Sequence, residues 1–267
     1  MVTGRCPMIS VLLNVAPDGG QESRLQAAIS LVKRHGGHIT CVQTLGVLPV
    51  APDPTAATTE AEGVIDVEEI GREFQKTVEA GLDGQGVEWS WLRFYGDPAT
   101  ILIVRSRLAD VIVMSAADSF PPVASVALHT RTPVLAVRQQ DPNFVPERPA
   151  LVAWNGSVPA ANAVHGAMPM FEAMQPVHVL SIDEDGRELP ASLVQEYLVE
   201  HHIESEVHWR ASDGETVPAA ILKFAEEIGT GMIVAGAFGH NRLREMLLGS
   251  TTRELLEKSS RPLLLTH

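Results

Sequence analysis

The chain has 267 residues, of which 45% are hydrophobic, and a formal net charge of −13. A chain of this length holds two domains of ordinary size, and this apolar content gives each a hydrophobic core, which excludes a largely disordered protein. The strong negative charge argues against nucleic acid or an anionic membrane as the main partner.

Cysteine usage and hydropathy indicate a cytoplasmic protein. The two cysteines, Cys6 and Cys41, have neither metal-ligand nor redox spacing, so a reducing compartment with two incidental thiols is expected. No apolar run reaches the roughly 18 residues that a membrane span needs, and the N-terminus lacks the charged-then-apolar layout of a secretory signal. We therefore expect a chain that neither spans nor crosses a membrane.

In chain order, one pattern of elements occurs twice. The first copy has apolar runs at residues 11–14, 39–42, 110–113 and 132–137. The second copy has the matching runs at residues 152–155, 177–180, 231–234 and 261–266. Longer helical stretches lie between the runs, and this alternation is typical of βαβ units with a parallel sheet. We therefore predict two tandem α/β domains, at residues 1–141 and 148–267, joined by a proline-rich linker.

The elements of the second copy can be placed one by one. We predict strands near residues 151–154, 177–182, 205–210, 232–235 and 262–266. Helices fit between them at residues 158–174, 189–202, 216–228 and 251–259. The last strands of the two copies, Val134–Val137 and Leu263–Thr266, would be apolar edge strands if left unpaired, so we expect them to meet edge to edge.

The two copies differ in length at two places. Before the helix that begins at Pro98, the first copy has 18 residues more than the second, which we assign to a loop rich in Pro, Ala and Thr around residues 48–62. After its fourth strand the first copy has eight residues fewer, and residues 115–122 stand where the second copy has a glycine motif. The first domain is therefore expected to be a degenerate, structural partner.

The glycine motif consists of Gly236, Gly239, Gly249 and Ser250, in the spacing Gly-x2-Gly-x9-Gly-Ser between an apolar strand and a helix. Glycine lets backbone N–H groups turn toward an anion, and the helix start adds partial positive charge. Residues 236–261 also hold five Arg or Lys against three Glu. The pattern predicts a phosphate cradle. Two other interpretations stay open, namely that the glycines are turn residues and that Thr251 with Glu254 is a capping box.

These residues resemble the universal stress protein family over nearly the whole chain, as a tandem of two domains. The resemblance implies two doubly wound, Rossmann-like domains, each a five-stranded parallel sheet of order 3-2-1-4-5. The Gly-x2-Gly-x9-Gly-Ser/Thr motif marks ATP-binding members of that family. The resemblance therefore implies that the second domain binds an adenine nucleotide, ATP, with Mg²⁺ as a candidate companion ion.

The site residues follow from the same resemblance, position by position. Those that would line ribose and phosphates are Ala235, Gly236, Gly239, Gly249, Ser250, Thr251 and Thr252. Ile182 matches the position that meets adenine. Asn155 stands where the family usually has Asp, and an amide lacks the charge that would help to hold Mg²⁺. Asn155 can also be interpreted as a turn residue in Asn-Gly-Ser.

The location of the site has independent support from the fold class. Ligands of open parallel sheets lie outside the carboxyl ends of the strands, at the point where the strand order reverses. Asn155 and Gly236 follow the first and fourth strands of the second domain, which are neighbours at that point in the implied order.

Metal and catalytic chemistry have weaker sequence support. The histidine pairs His35 with His38 and His201 with His202 have no carboxylate or Cys partner at ligand spacing, so no metal site is predicted. The chain has no Gly-x-Ser-x-Gly elbow, no Walker motif and no Gly-x-Gly-x2-Gly, and no catalytic residue is assigned.

The sequence therefore predicts a stress-response binding and signalling module, with the nucleotide as partner and no nucleic acid or membrane. Two alternatives stay open: an enzyme that cleaves ATP or transfers its nucleotidyl group, at most a slow ATPase, and a nucleotide-free interaction scaffold. The two domains are expected to pack as an internal pair that resembles a dimer. Association of two chains and an unknown protein partner also stay open.

Overall fold

A computed structural model describes residues 8–46, 57–116, 121–139, 144–183, 189–237 and 250–267, with residues 57–66 described by their backbone alone. The first half has strands β1 (Ile9–Val15), β2 (Gly37–Leu45), β3 (Glu88–Tyr95), β4 (Val111–Ser115) and β5 (Val134–Val137). Its helices are α1 (Gln21–His35), α2 (Ala57–Leu82), α3 (Pro98–Arg105) and α4 (Val123–Ala127), and a 3₁₀ turn follows α3 at Ser106–Leu108.

The second half repeats this succession of elements. Its strands are β6 (Ala150–Trp154), β7 (Val177–Ile182), β8 (Ser205–Arg210), β9 (Met232–Gly236) and β10 (Leu263–Thr266). Its helices are α5 (Val158–Phe171), α6 (Ala191–Glu200), α7 (Val217–Glu227) and α8 (Ser250–Lys258). Every strand and helix predicted for this half is present, which confirms the α/β fold.

All ten strands lie in one sheet, in the order β3-β2-β1-β4-β5-β10-β9-β6-β7-β8. Counted within each half, this is the order 3-2-1-4-5. Neighbouring strands within a half are parallel. In each half the strand order reverses at one point, which lies between β1 and β4 in the first half and between β6 and β9 in the second. At those points the carboxyl ends of two adjacent strands leave room for a ligand.

The two halves join through their last strands, as the sequence predicts. Strands β5 and β10 pair antiparallel, with Leu264 opposite Leu135 at the centre. An antiparallel pair has a local twofold axis, so the two halves face each other as the subunits of a dimer would. Both leucines are fully buried. The pairing removes two apolar edges that would otherwise expose unpaired backbone groups.

Apolar side chains cover both faces of the sheet. One cluster packs against α1 and α5, and it includes Leu13, Ala28 and Phe171. The other packs against α3, α7 and α8, and it includes Leu102 and Phe224. Burial on both faces explains why the central strands are almost continuously apolar rather than alternating. Among the described residues, no helix is both long enough and apolar enough to cross a bilayer.

The prediction of a loop at residues 48–62 is wrong for its second part. Helix α2 begins at Ala57, so residues 57–62 are helical, and residues 48–56 lie outside the described residues. Alanine and glutamate recur in this segment, and both favour the helix. The extra residues therefore lengthen α2 to 26 residues, against 10 in its counterpart α6.

Candidate functional site

Four of the predicted site residues lie together at one edge of the sheet. Asn155 follows the last residue of β6, Ile182 ends β7, and Ala235 with Gly236 ends β9. Strand β6 lies between the other two, with Ala153 opposite Ala235 and Trp154 opposite Ser181. The carboxyl ends of the three strands are therefore level. In the second half, these strand ends lie where the strand order reverses, between β6 and β9.

The start of α8 is tied to the same edge. Helix α8 begins at Ser250, and the Thr252 hydroxyl donates to the carbonyl oxygen of Gly236 at 3.3 Å. Ser250 is exposed, whereas Thr252 is buried. The hydrogen bond holds the start of α8 next to the end of β9, and the first N–H groups of a helix have no partner within the helix itself. Gly239 and Gly249 lie outside the described residues.

The capping-box interpretation of Thr251 and Glu254 is wrong. Thr251 is the second residue of α8, and a capping residue must precede the first helical residue. The Glu254 carboxylate instead accepts from Lys258 Nζ at 2.8 Å, one turn further along the helix. This hydrogen bond raises the pKa of Lys258.

Gly236 has a packing reason to be glycine. A Cβ at this position would lie 2.6 Å from the backbone nitrogen of Ala160 and 2.7 Å from the carbonyl carbon of Pro159. The end of β9 thus packs directly against the first turn of α5. Close approach of two backbones explains this glycine with or without a bound phosphate.

Asn155 forms a turn that starts α5. Its Oδ1 accepts from the backbone N–H and the hydroxyl of Ser157, at 3.1 and 2.6 Å. Ser157 Oγ accepts in turn from the N–H of Ala160 at 3.3 Å, which caps the helix. Gly156 has φ of 73°, in the left-handed region. The turn interpretation of Asn155 is therefore confirmed, and a role of this residue toward Mg²⁺ stays a prediction.

Two basic residues of segment 236–261 lie at or beyond the far end of α8, away from this edge, and both are paired with carboxylates. Lys258 pairs with Glu254, and Arg261 Nη2 lies 3.2 Å from Glu226 Oε2. Arg242 and Arg244 lie outside the described residues. These two pairs therefore do not contribute to the charge that this edge presents to an anion.

In the first half, a buried arginine occupies the corresponding position between β1 and β4. The Arg24 side chain is fully buried. Its guanidinium donates to groups on every side, namely Asn14 O, Ala16 O, the Asp18 carboxylate, Gln21 Oε1 and Ser115 Oγ. Ser115 ends β4, as Gly236 ends β9. A side chain of this half thus fills the space that the second half leaves to backbone.

Burial and ion pairing shift the pKa of Arg24 in opposite directions. Burial lowers the pKa of Arg24, and the Asp18 carboxylate opposes that shift through a hydrogen bond and its charge. Asp18 Oδ1 lies 2.8 Å from Arg24 Nη1. Asp18 is therefore the group that keeps a buried cation compensated.

A cleft of about 340 Å³ lies beside Arg24 in the first half. Its lining residues lie at or just beyond the carboxyl ends of β1, β2 and β3, and they include Asn14, Asp18, Thr44, Gly46 and Gly96. Asn14 Nδ2 and Thr44 Oγ1 are buried and have no hydrogen-bond partner among the described residues. The cleft thus lies beside the contact between Arg24 and Ser115.

Sequence reasoning missed two groups of polar residues. One is the Arg24 network, whose members are scattered over residues 14–115. The other joins His178, Glu206 and His208 on two neighbouring strands. The signal for the second group was the alternation of Glu206 and His208, because residues two apart on a strand share a face. The histidine pairs that the sequence did single out have other contacts: His38 Nε2 meets Ser90 Oγ, and His201 Nδ1 meets Tyr197 O.

Residues 147–267 match the model of the universal stress protein family. Universal stress protein Slr1230 of Synechocystis is 40% identical over 45 residues, which are 17% of this chain and 16% of that protein. Universal stress protein MJ0577 of Methanocaldococcus jannaschii is 43% identical over 44 residues, 16% of this chain and 27% of that protein. The chain thus matches less than a third of the length of either relative.

Two solved structures resemble the whole chain. A universal stress protein from Archaeoglobus fulgidus has 22% sequence identity and a TM-score of 0.72, with 96% of this chain and 97% of that chain covered. A functionally unknown protein, PA1789 of Pseudomonas aeruginosa, has 16% identity and a TM-score of 0.54, with 98% and 93% covered. At these identities the likeness shows the fold.

Proposed function

The chain belongs to the universal stress protein family through its C-terminal half, and from this premise we propose that residues 148–267 bind ATP at the carboxyl edge of β6, β7 and β9. The observation that carries the proposal is the junction of β9 with α8. The Thr252 hydroxyl donates to the carbonyl of Gly236 and so holds the start of α8 beside the edge where the strand order reverses, and the N–H groups of a helix start favour an anion.

In this proposal each part of the nucleotide has its own neighbours. Ile182, which is buried at the end of β7, contacts adenine. Ala235 and Gly236 lie along the ribose. Gly239, Gly249, Ser250, Thr251 and Thr252 surround the phosphates through backbone and hydroxyl donors. Mg²⁺ contributes weakly, because Asn155 is uncharged and its Oδ1 already accepts two hydrogen bonds from Ser157.

The first half is proposed to be a structural partner that binds no triphosphate. The Arg24 guanidinium and its acceptors fill the space between β1 and β4, so phosphates would have to displace a fully paired ion. We therefore infer one nucleotide for each chain.

The proposed role is a cytoplasmic stress-response module that binds and signals rather than an enzyme. Two described hydroxyls at this edge have structural contacts rather than a catalytic arrangement: Ser157 caps α5, and Thr252 bonds the end of β9 to α8. Cys41 is a free, buried thiol, which fits a reducing compartment.

Calorimetric titration of the purified chain with ATP tests the proposal. We expect one site for each chain and an affinity at least about tenfold lower in Gly249→Val. A branched side chain there would remove a charge-assisted hydrogen bond of roughly 1.5–3 kcal/mol. The matched control is Gly46→Val, in the first-half cleft, where an added Cβ has no atom of a described residue within 4 Å. That variant should keep full affinity.

Two results would contradict the proposal. Two equivalent sites, or a loss of affinity in Gly46→Val, would place nucleotide in the first half. Full affinity in Gly249→Val would place it away from the glycine motif. Release of ADP or pyrophosphate that is faster than in Gly249→Val would favour the enzyme alternative, and absence of any nucleotide binding would favour the scaffold.

A further inference from the structure

Two histidines and a glutamate converge on the α7 face of strands β7 and β8. His178 lies opposite Glu206 in the pairing of these strands, and His208 lies two residues beyond Glu206. His178 Nδ1 is 2.9 Å from His208 Nε2. Glu206 Oε2 is 3.6 Å from His178 Nδ1 and 3.7 Å from His208 Nε2. Three ligand-type atoms thus form a small triangle.

The size of this triangle fits a metal ion. A triangle with these three sides has its circumcentre about 2.0 Å from every corner. Zinc binds imidazole nitrogen at about 2.0–2.1 Å and carboxylate oxygen at about 2.0–2.2 Å. An ion near the circumcentre, or slightly out of the plane, would therefore contact all three atoms without movement of the strands.

We propose that His178, Glu206 and His208 bind a divalent first-row transition-metal ion of the zinc type. Imidazole and carboxylate are the ligands that such ions take, and two His with one Glu is a ligand set known from zinc sites with an open fourth position. The set excludes a Mg²⁺ or Ca²⁺ site, since those ions prefer oxygen ligands throughout.

The surroundings are suited to a bound cation. The Phe224 ring packs against both imidazoles, with its centroid 4.7 Å from that of His208 and 6.3 Å from that of His178. Arg210, the nearby cation on the same face, is paired with Glu227 at 3.0 Å, which neutralises its charge. The Glu206 side chain is 58% exposed, so an ion can enter from solvent and keep a water as fourth ligand.

The protonation of the buried histidine also agrees with a ligand role. Burial lowers the pKa of His178, and the His208 imidazole lowers it further, while Glu206 opposes the shift. An uncharged imidazole has the lone pair that a metal needs.

The site is separate from the proposed nucleotide edge. His178 is the second residue of β7, four residues before Ile182 at the carboxyl end, which is a distance of roughly 13 Å along the strand. The ion would join the outermost strand β8 to β7, and so stabilise the edge of the sheet. The inference therefore does not depend on nucleotide binding.

Zinc titration of the untagged, EDTA-treated full chain tests the site. Calorimetry should show a saturable site that Glu206→Gln and His208→Gln weaken by at least about tenfold, because even outer-shell partners of a metal change affinity by 10–100-fold. Glu206 is largely exposed, so its variant should fold. The matched controls are Glu204→Gln and His129→Gln, exposed residues of the same types outside the cluster. They should bind zinc as the parent does.

Two further readouts separate this site from adventitious zinc. Co²⁺ should give visible absorption bands of a low-symmetry nitrogen and oxygen site in the parent and not in His208→Gln. Zinc should raise the Tm of the parent and leave that of Glu206→Gln unchanged, since a ligand that binds the folded state stabilises it. Equal zinc affinity in the parent and both cluster variants, or no zinc binding at all, would overturn the proposal.

Discussion

At the scale of single residues, the two halves differ in what fills the space at the end of their fourth strand. Where the sheet order reverses, the second half has Gly236 against the start of α5, and the first half has Ser115 bonded to Arg24. The glycine lets the end of β9 pack against the backbone of α5. In the first half the Arg24 guanidinium has all of its donors paired. The two aligned positions therefore differ in what lies beside them, which is backbone in the second half and a paired guanidinium in the first.

The Arg24 network leads to a prediction about stability. Asp18→Asn removes the charge that compensates a fully buried guanidinium, and Asp18 itself is 30% exposed. We expect the free energy of unfolding to fall by roughly 2–4 kcal/mol, somewhat less than for a pair buried on both sides. Urea unfolding measures it, with Asp83→Asn at an exposed position as control. A loss no larger than that of the control would mean that solvent already compensates Arg24.

Cys41 gives a prediction about pH. Burial raises the pKa of this thiol to about 12, and the charge of Glu79 adds to the shift. In a Cys6→Ser background, Cys41 should not react with a disulfide reagent at pH 8 until the chain unfolds, because the thiolate is the reactive form. Rapid labelling of the folded chain would contradict this.

The sign of the stability effect follows from the same shift. An acid whose pKa is higher in the folded state keeps its proton there while the unfolded chain loses it. Stability should therefore fall as the pH rises above 9, the ordinary value, toward 12. Cys41→Ala should lose this part of the pH dependence, and unfolding midpoints of the two proteins at pH 8 and pH 10 measure it.

At the scale of elements, helix starts were the most predictable features. Asp97 and Thr216 each precede a proline near the start of a helix, and in the structure each caps that helix through a side-chain oxygen. The length of α2 and the first residue of α8 were less predictable. An Ala- and Glu-containing segment can be loop or helix, and a Ser-Thr-Thr run offers three candidate caps within three residues. Packing against the sheet determines whether the α2 segment is loop or helix and which residue starts α8, and local sequence does not.

At the scale of the whole molecule, one continuous sheet makes the two halves a single unit. Leu264 and Leu135, which face each other where β10 meets β5, have no solvent exposure. The apolar layers on the two faces of the sheet both continue across this junction. Loss of packing in one half should therefore also destabilise the adjacent strand of the other half.

Leu264→Ala tests this coupling. Truncation of a buried leucine should cost about 2–5 kcal/mol of unfolding free energy. Hydrogen exchange should become faster at the amides of Val134–Val137 in the first half, and not in β10 alone. Leu108→Ala, at a side chain that is 94% exposed, is the control. Unchanged exchange in β5 would show that the halves fold and open independently.

The sequence by itself determined the repeated α/β pattern, the pairing of the last strands and the position of the glycine motif. These features depend on apolar periodicity, turn residues and spacing, which are local or repeat along the chain. From them the sequence also placed Asn155 and Gly236 at one edge, because parallel strands bring their carboxyl ends together, and the family resemblance added Ile182 and Ala235.

Only the tertiary structure decided which polar side chains meet. Arg24 contacts Ser115 across 91 positions, and His178 contacts His208 across 30. Contacts of this kind depend on strand register and on the face each side chain occupies, and a shift of one residue would separate them. No local pattern in the chain encodes such a distance, so the filled first-half position and the histidine cluster became visible only once the strands were paired.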